Sequence, residues 1–293
     1  MSLWETISAD IAVTTGRHAS LQRQEGVGGG CINQAVRVDY GDTRYLVKLN
    51  SADKQEMFSA EALGLQELRQ CSGLRIPEPV CWGSDGQSSY LVMEFLDLGG
   101  RGDASALAAG LAELHRITRS QFGWVRDNTI GSTLQVNTPA DDWIEFWRDR
   151  RLQFQLDLAV RNGAGGRLQA GGDRLLADFP QLFTGYTPAA SLLHGDLWGG
   201  NHAYTRSGEP AIYDPAVYYG DREADIAMTE LFGGFGRDFY AAYHEYFPMD
   251  VGYAVRKRLY NLYHVLNHFN MFGGGYLSQA QGMLDSLLSE LSA

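Results

Sequence analysis

The sequence predicts an α+β chain in two lobes, a β-rich N-terminal third followed by a mostly helical remainder. Three observations carry that reading. From Leu21 to about Leu98, runs of alternating apolar residues are punctuated by turn residues. From Asp103 onward the apolar spacing changes to the helical i, i+3, i+4. At 293 residues the chain is long for one core and comfortable for two packed lobes. The expected division is 1–96 for the first lobe, 97–102 for a Gly-containing connector and 103–293 for the second lobe.

The elements follow in order. MSLWETISADIAVTTG spaces Leu3, Ile7 and Ile11 for a helix that stops near Gly16. LQRQEGV reads as a strand and leads into a glycine cluster. AVRVDYGDTRYLVKL then alternates Val36 and Val38, and Tyr45, Val47 and Leu49, about Gly41-Asp42, which is a hairpin. DKQEMFSAEALGLQELRQC places Phe58, Ala62 and Leu65 on one helical face. IPEPVCWGSDGQSSYLVMEF gives two more strands about Ser84-Asp85-Gly86. Beyond the connector, helices are expected over DASALAAGLAELHRI, DWIEFWRDRRLQFQLDLAV, DRLLADFPQLF, ADIAMTELFGGF, RDFYAAYHEYF and GYAVRKRLYNLYHVLNHFNMF, with a last one from about Ser278. A polar loop flanked by short strands lies among them at 194–201. No internal repeat or low-complexity tract interrupts the chain.

Composition narrows the class. A formal net charge of −11 repels phosphodiester backbones and disfavours a nucleic-acid partner, while it tolerates amines. The three cysteines, Cys31, Cys71 and Cys81, have neither disulfide-framework nor zinc-site spacing and fit a reducing cytoplasm. The first residues lack the basic region and apolar core of a signal peptide, and no apolar run reaches membrane-spanning length. A cytoplasmic protein with no membrane partner is expected.

Four features point to chemistry. The turn Gly26-Val27-Gly28-Gly29-Gly30-Cys31 lies between strands, where glycine lets backbone N–H groups approach phosphate oxygens. Lys48, in YLVKL, points opposite to Val47 and Leu49, and Glu61 shares a helical stripe with Leu65 and Leu68. A strand lysine paired to a helix glutamate downstream of a glycine loop holds nucleotide phosphates in protein-kinase-like folds. HGDLWGGN offers Asp196 as acceptor of a hydroxyl proton and Asn201, five residues on, as a metal ligand. Asp214, in YDPAV, can bridge magnesium (Mg2+) to the phosphates of ATP, because that ion takes hard oxygen ligands. No Gly-x-Ser-x-Gly elbow supports a hydrolase, and His115, alone on an amphipathic helix, reads as structural.

SLLHGDLWGGN and YDPAVYYGDREADIAMTELFGGF strongly resemble the fructosamine kinase (ketosamine kinase) family, as do GGGCIN, FGWVRDNTIGST and LYNLYHVLNHFNMFGGGY. The likeness covers essentially the whole chain. It implies a bilobal, protein-kinase-like fold. It also implies ATP-dependent phosphorylation of the sugar 3-hydroxyl of ketosamines, after which the adduct is unstable and the amine is recovered. Residue by residue, the resemblance implies Asp196 as base, Asn201 and Asp214 as metal ligands, and Lys48 and Glu61 as the phosphate-positioning pair. Gly28, Gly29 and Gly30 would cover the phosphates, and backbone groups of Met93, Glu94 and Phe95 would bind adenine. Trp198 would lie against the sugar and His268 would touch substrate, while Met271 stands where some relatives carry a second histidine. Asp214-Pro215-Ala216 replaces the Asp-Phe-Gly of protein kinases, so no Phe-driven switch is expected.

The alternatives are an aminoglycoside- or choline-type phosphotransferase and a nucleotide-binding pseudokinase scaffold. Partners are expected to be small ketosamines or glycated amines, with glycated proteins as a further class. Cys31, beside the glycines, is a redox candidate that would link a monomer into a dimer.

Overall fold

The computed structural model describes residues 2–18, 20–28 and 32–292. The sequence-predicted Gly29, Gly30 and Cys31 lie outside the described residues. Helix α1 (Leu3–Thr15) starts in a capping box between Ser2 and Glu5 and ends at Gly16, whose φ of 69° is left-handed. Strands β1 (Leu21–Val27), β2 (Gln34–Tyr40) and β3 (Thr43–Ser51), helix α2 (Gln55–Leu68), and strands β4 (Pro79–Ser84) and β5 (Ser88–Glu94) follow. The strands form one antiparallel sheet in the order β1-β2-β3-β5-β4.

The alternation of β3 sorts its two faces. Val47 and Tyr45 join Val36, Val38, Cys81, Tyr90 and Val92 against Ile7 and Ile11 of α1. Leu46, Leu91 and Met93 face the other way and join Phe58, Ala62 and Leu65 of α2 in the large core. Lys48 sits on that second face, and this is why a lysine in an apolar strand is only 6% exposed.

The second part runs α3 (Ala104–Arg116), β6 (Thr118–Arg119), β7 (Asn128–Ile130), β8 (Thr133–Gln135) and α4 (Trp143–Trp147). One π-turn (Arg148–Leu152) leads into α5 (Gln153–Arg161), then α6 (Arg167–Asp178), and a 3-10 turn at Phe179–Phe183. Next come β9 (Ala190–Leu193), β10 (His202–Tyr204), β11 (Pro210–Ile212), β12 (Tyr218–Gly220) and α7 (Glu223–Leu231). The chain closes with α8 (Arg237–Tyr246), α9 (Tyr253–Phe272) and α10 (Tyr276–Glu290). The short strands make a sheet β12-β9-β6 and two hairpins, β7–β8 and β10–β11. Among the described residues no helix is long and apolar enough to cross a membrane.

Two expectations need correction. The helix expected over DRLLADFPQLF begins at Arg167, not Asp173, and gives way to the 3-10 turn at Phe179, where Pro180 removes a donor. Its glycines do not break it. A Cβ on Gly172 would lie 2.9 Å from Leu156, and one on Gly171 2.7 Å from Leu284, so both permit close helix packing. The last helix begins at Tyr276, two residues before the expected Ser278.

Candidate active site

Strand β9 is buried along its whole length and delivers its next residues, His194 to Asn201, to the surface of the large core. Gly195 has φ 81°, and a Cβ there would sit 2.0 Å from the Ala216 carbonyl oxygen, so only glycine fits. Asp225, on α7, clamps this turn. Its Oδ2 accepts the His194 N–H at 2.7 Å and its Oδ1 the Gly195 N–H at 2.8 Å. Asp225 also meets His115 Nε2 at 3.2 Å, and His115 Nδ1 meets the Tyr243 hydroxyl at 2.7 Å. His115 is fully buried and satisfied, which is the structural role its helix implied.

The His194 ring ties the loop to the strand that follows. Nε2 donates to the Tyr213 carbonyl at 2.9 Å, which leaves Nδ1 to accept the Asp196 N–H at 3.3 Å. Burial depresses the His194 pKa and keeps the ring neutral in that tautomer. Asn201 Nδ2 donates to the Asp196 carbonyl (2.8 Å), to Asp196 Oδ2 (3.3 Å) and to the Asp214 carbonyl (3.4 Å). All donation comes from Nδ2, so Oδ1 is left as an acceptor. Burial, and then the neighbouring Asp214 charge, push the Asp196 carboxyl up to about 7 against the opposing Asn201 bond.

Asp214 has φ 59°, the one left-handed non-glycine among the described residues. Its Oδ1 accepts Lys48 Nζ at 2.6 Å, and the same ammonium reaches Glu61 Oε1 at 2.5 Å. Burial opposes the Lys48 charge, but Asp214 and Glu61 outweigh it and hold the pKa above its ordinary value. Burial raises the Glu61 pKa, with Lys48 pulling the other way. Glu61, Lys48, Asp214, Asn201 and Asp196 are thus linked in one run of polar contacts that draws on both halves of the chain. Two hard oxygen donors, Asn201 Oδ1 and the Asp214 carboxylate, suit Mg2+, which keeps waters and takes phosphate oxygens for the rest. No group of three or more His, Cys, Asp or Glu that could cage a metal alone occurs among the described residues.

Trp198 is 39% exposed and is not a core residue. Its ring meets Phe232 edge-on at 6.3 Å, and His268 packs on the same Phe232 at 4.8 Å. His268 Nδ1 faces the His264 carbonyl at 2.8 Å, so it carries the proton and Nε2 is an acceptor. Met271 Sδ accepts the Ser132 N–H at 3.5 Å and thereby anchors the β7–β8 hairpin.

At the end of β5, Met93 is buried in the large core. The Glu94 N–H already donates to the Glu78 carbonyl (2.8 Å) and the Phe95 N–H to the Arg44 carbonyl (3.4 Å). Both N–H groups are thus engaged within the protein in this structure. The Glu94 carboxylate pairs with Arg75, and the Phe95 ring lies under Arg37 and Arg44, at 5.3 and 5.6 Å. Gly28 has open space about its Cα. Asp225 was missed in the sequence. Its one signal is an acidic residue inside ADIAM, a stretch apolar enough to be buried on all sides.

An antiparallel five-stranded sheet with one helix on its inner face, joined to a helical half that carries two carboxylates on adjacent loops, defines a protein-kinase-like phosphotransferase. Aminoglycoside phosphotransferases and choline kinase share that fold. The fructosamine kinase family pattern matches residues 3–290, and the chain belongs to that family. It is 48% identical to a candidate ketoamine kinase of Synechocystis, over 97% of both chains. It is 42% identical to the chloroplastic protein-ribulosamine 3-kinase of Arabidopsis thaliana, covering 96% of this chain and 87% of that one. A crystal structure of a candidate fructosamine-3-kinase from Haemophilus somnus superposes with a TM-score of 0.89 at 28% identity, over 97% of each chain.

Proposed function

We propose that the protein transfers the γ-phosphoryl group of ATP, with Mg2+, to the 3-hydroxyl of ketosamines, the fructosamine and ribulosamine adducts of amines. The observation that carries this reading is the single ammonium of Lys48 bridging Glu61 and Asp214 beside the Asp196–Asn201 loop. Family membership and the ribulosamine 3-kinase relative support the acceptor class.

Lys48, held cationic, binds phosphate oxygens, with Glu61 fixing its direction. Asp214 and Asn201 Oδ1 would hold Mg2+, which neutralises charge on the phosphates when bound. Asp196 orients the acceptor hydroxyl in line with the γ-phosphorus. The new bond joins O3 to phosphorus, the bond from phosphorus to the bridging oxygen of ADP breaks, and the hydroxyl proton passes to Asp196. Trp198 offers an exposed ring face to the sugar, and His268 Nε2 accepts from a hydroxyl or ammonium. On the adenine side, the Leu96 N–H is the first donor past the two spent ones. Phosphorylated adducts release their amine, so the activity is a deglycation, on small adducts and, where they reach the cleft, on glycated proteins. Two buried reduced thiols, Cys71 and Cys81, suit the cytoplasm.

The test is ATP consumption with a panel of synthetic ribulosamines and fructosamines beside an aminoglycoside panel. Asp196→Asn serves as the control that binds nucleotide without turnover. Turnover confined to the sugar–amine adducts is expected. Turnover confined to the aminoglycosides, or an active Asp196→Asn, would overturn the acceptor class or the base, respectively.

A further inference from the structure

Helix α2 carries Glu61, and the second half of the chain grips that helix at three points. At its start, Arg126 Nη2 pairs with Glu56 at 2.6 Å while Nη1 donates to Ser59 Oγ at 2.9 Å. In its middle, a Cβ on Gly64 would meet the Val217 side chain at 3.2 Å, so helix and segment 215–217 are in direct contact. At its end, Glu67 accepts from Arg119 Nη2 (2.8 Å) and from the Tyr219 hydroxyl (2.6 Å), and the Arg119 guanidinium stacks on the Tyr219 ring at 4.5 Å.

Arg119 and Arg126 belong to one segment, which also reaches the chain just after Asp214. Asn128 Nδ2 donates to the Val217 carbonyl at 2.8 Å, and Gln135 Nε2 to the Ala216 carbonyl at 3.0 Å. Both amides are buried and held in turn. Gln135 Oε1 accepts the Tyr263 hydroxyl (2.9 Å), Asn128 Oδ1 accepts Asn137 Nδ2 (2.9 Å), and Asn137 Oδ1 accepts Arg151 Nη2 (2.7 Å). On its other side Ala216 donates to the His194 carbonyl at 2.9 Å. The Asp214 segment is therefore gripped between the catalytic loop and the same stretch that grips α2.

We propose that residues 118–137 form an internal strap that keeps Glu61 and Asp214 in register with Lys48 without an activating event, with Arg126 as the positioning residue that reaches α2. An exposed ion pair alone contributes little. Arg126 differs in that its own carbonyl is pinned by Asn137 Nδ2 at 3.2 Å and its guanidinium makes two contacts on consecutive turns of α2. Releasing it tilts the helix start and moves Glu61, while the core beneath stays packed.

This inference rests on the assignment of Lys48, Glu61 and Asp214 to the nucleotide phosphates, and the test separates the two. Affinity for a non-hydrolysable ATP analogue with magnesium is measured by calorimetry for wild type, Arg126→Glu, the reversed pair Glu56→Arg with Arg126→Glu, and Lys48→Ala. Arg126→Glu is expected to bind about five-fold more weakly at a nearly unchanged melting temperature, and the reversed pair to recover most of the loss. Wild-type affinity in Arg126→Glu, or a reversed pair as weak as the single variant, overturns the strap. Wild-type affinity in Lys48→Ala overturns the phosphate assignment itself.

Discussion

Asp225 touches neither nucleotide nor acceptor in the proposed mechanism, yet it fixes the loop that does. Its two oxygens take two consecutive backbone N–H groups, and the His115 ring supports the second oxygen. Asparagine at this position would present an NH2 group to one of those donors and leave a buried N–H without an acceptor. That loss costs about 2 kcal/mol. Asp225→Asn is therefore expected to lower the melting temperature by about 4 °C and to depress turnover at least about ten-fold through a displaced Asp196. Calorimetric melting beside steady-state kinetics checks both. This residue also marks where reading the chain stops. Lys48 and Glu61 declare their direction through strand alternation and a helical stripe, and Asp196, Asn201 and Asp214 stand in one compact motif. Two of the Asp225 contacts span about thirty residues in sequence and the one to His115 spans 110, and beyond an acid inside an apolar stretch nothing local announces them. The spent N–H groups of Glu94 and Phe95 are equally invisible, because their acceptors come from separate loops.

At the scale of elements, glycine was ambiguous in the sequence and the packing resolves it. Gly171 and Gly172 lie outside the stretch whose spacing predicts a helix, yet they are close-approach residues inside α6. The short strands β6, β7 and β8 have two or three residues each, too few for alternation to register. The sheet of the first half was legible because its strands run six to nine residues and its turns carry glycine. The connector after β5 makes the same point. The N–H groups of Gly99 and Gly100 both reach the Tyr204 carbonyl at 3.1 Å, and Leu98 bridges to Thr205. A Cβ on Gly100 would lie 1.9 Å from the Thr205 carbonyl oxygen, a backbone atom that cannot swing away. Gly100→Ala is expected to lift the connector off β10, cost about 2 kcal/mol and weaken nucleotide affinity. The acceptor KM should stay near wild type, because the acceptor side is built from other elements. Melting and ATP titration on the same sample check this.

The whole molecule joins a small core, closed by α1 on one face of the sheet, to a large one that runs from the other face of the sheet through to α10. Helix α9 threads the large core and is buried without a break from Leu259 to Asn267. A helix buried on all sides has no wet face for its polar residues, and His264 shows the consequence. Its Nδ1 is buried without a partner. Burial, with the neighbouring His268 and Arg151 adding to it, depresses the ring's pKa to about 3. The unfolded chain titrates near 6.5 at this residue, so the unfolded state takes up the proton first. Stability from a neutral His264 is therefore complete above about pH 6.5 and is lost as the pH falls toward 3. Asp196 and Glu223, both raised to about 7, take up protons in the native state over the same range and offset that loss in the total curve. A difference measurement removes them. His264→Leu keeps the volume roughly constant, removes the unpartnered nitrogen and abolishes the titration. Between pH 7.5 and 5.5 the variant should gain about 1.4 kcal/mol on wild type, or about 3 °C in melting temperature for a chain of this size. Parallel melting curves for the two proteins would show no change in their separation if His264 kept an ordinary pKa in the folded state.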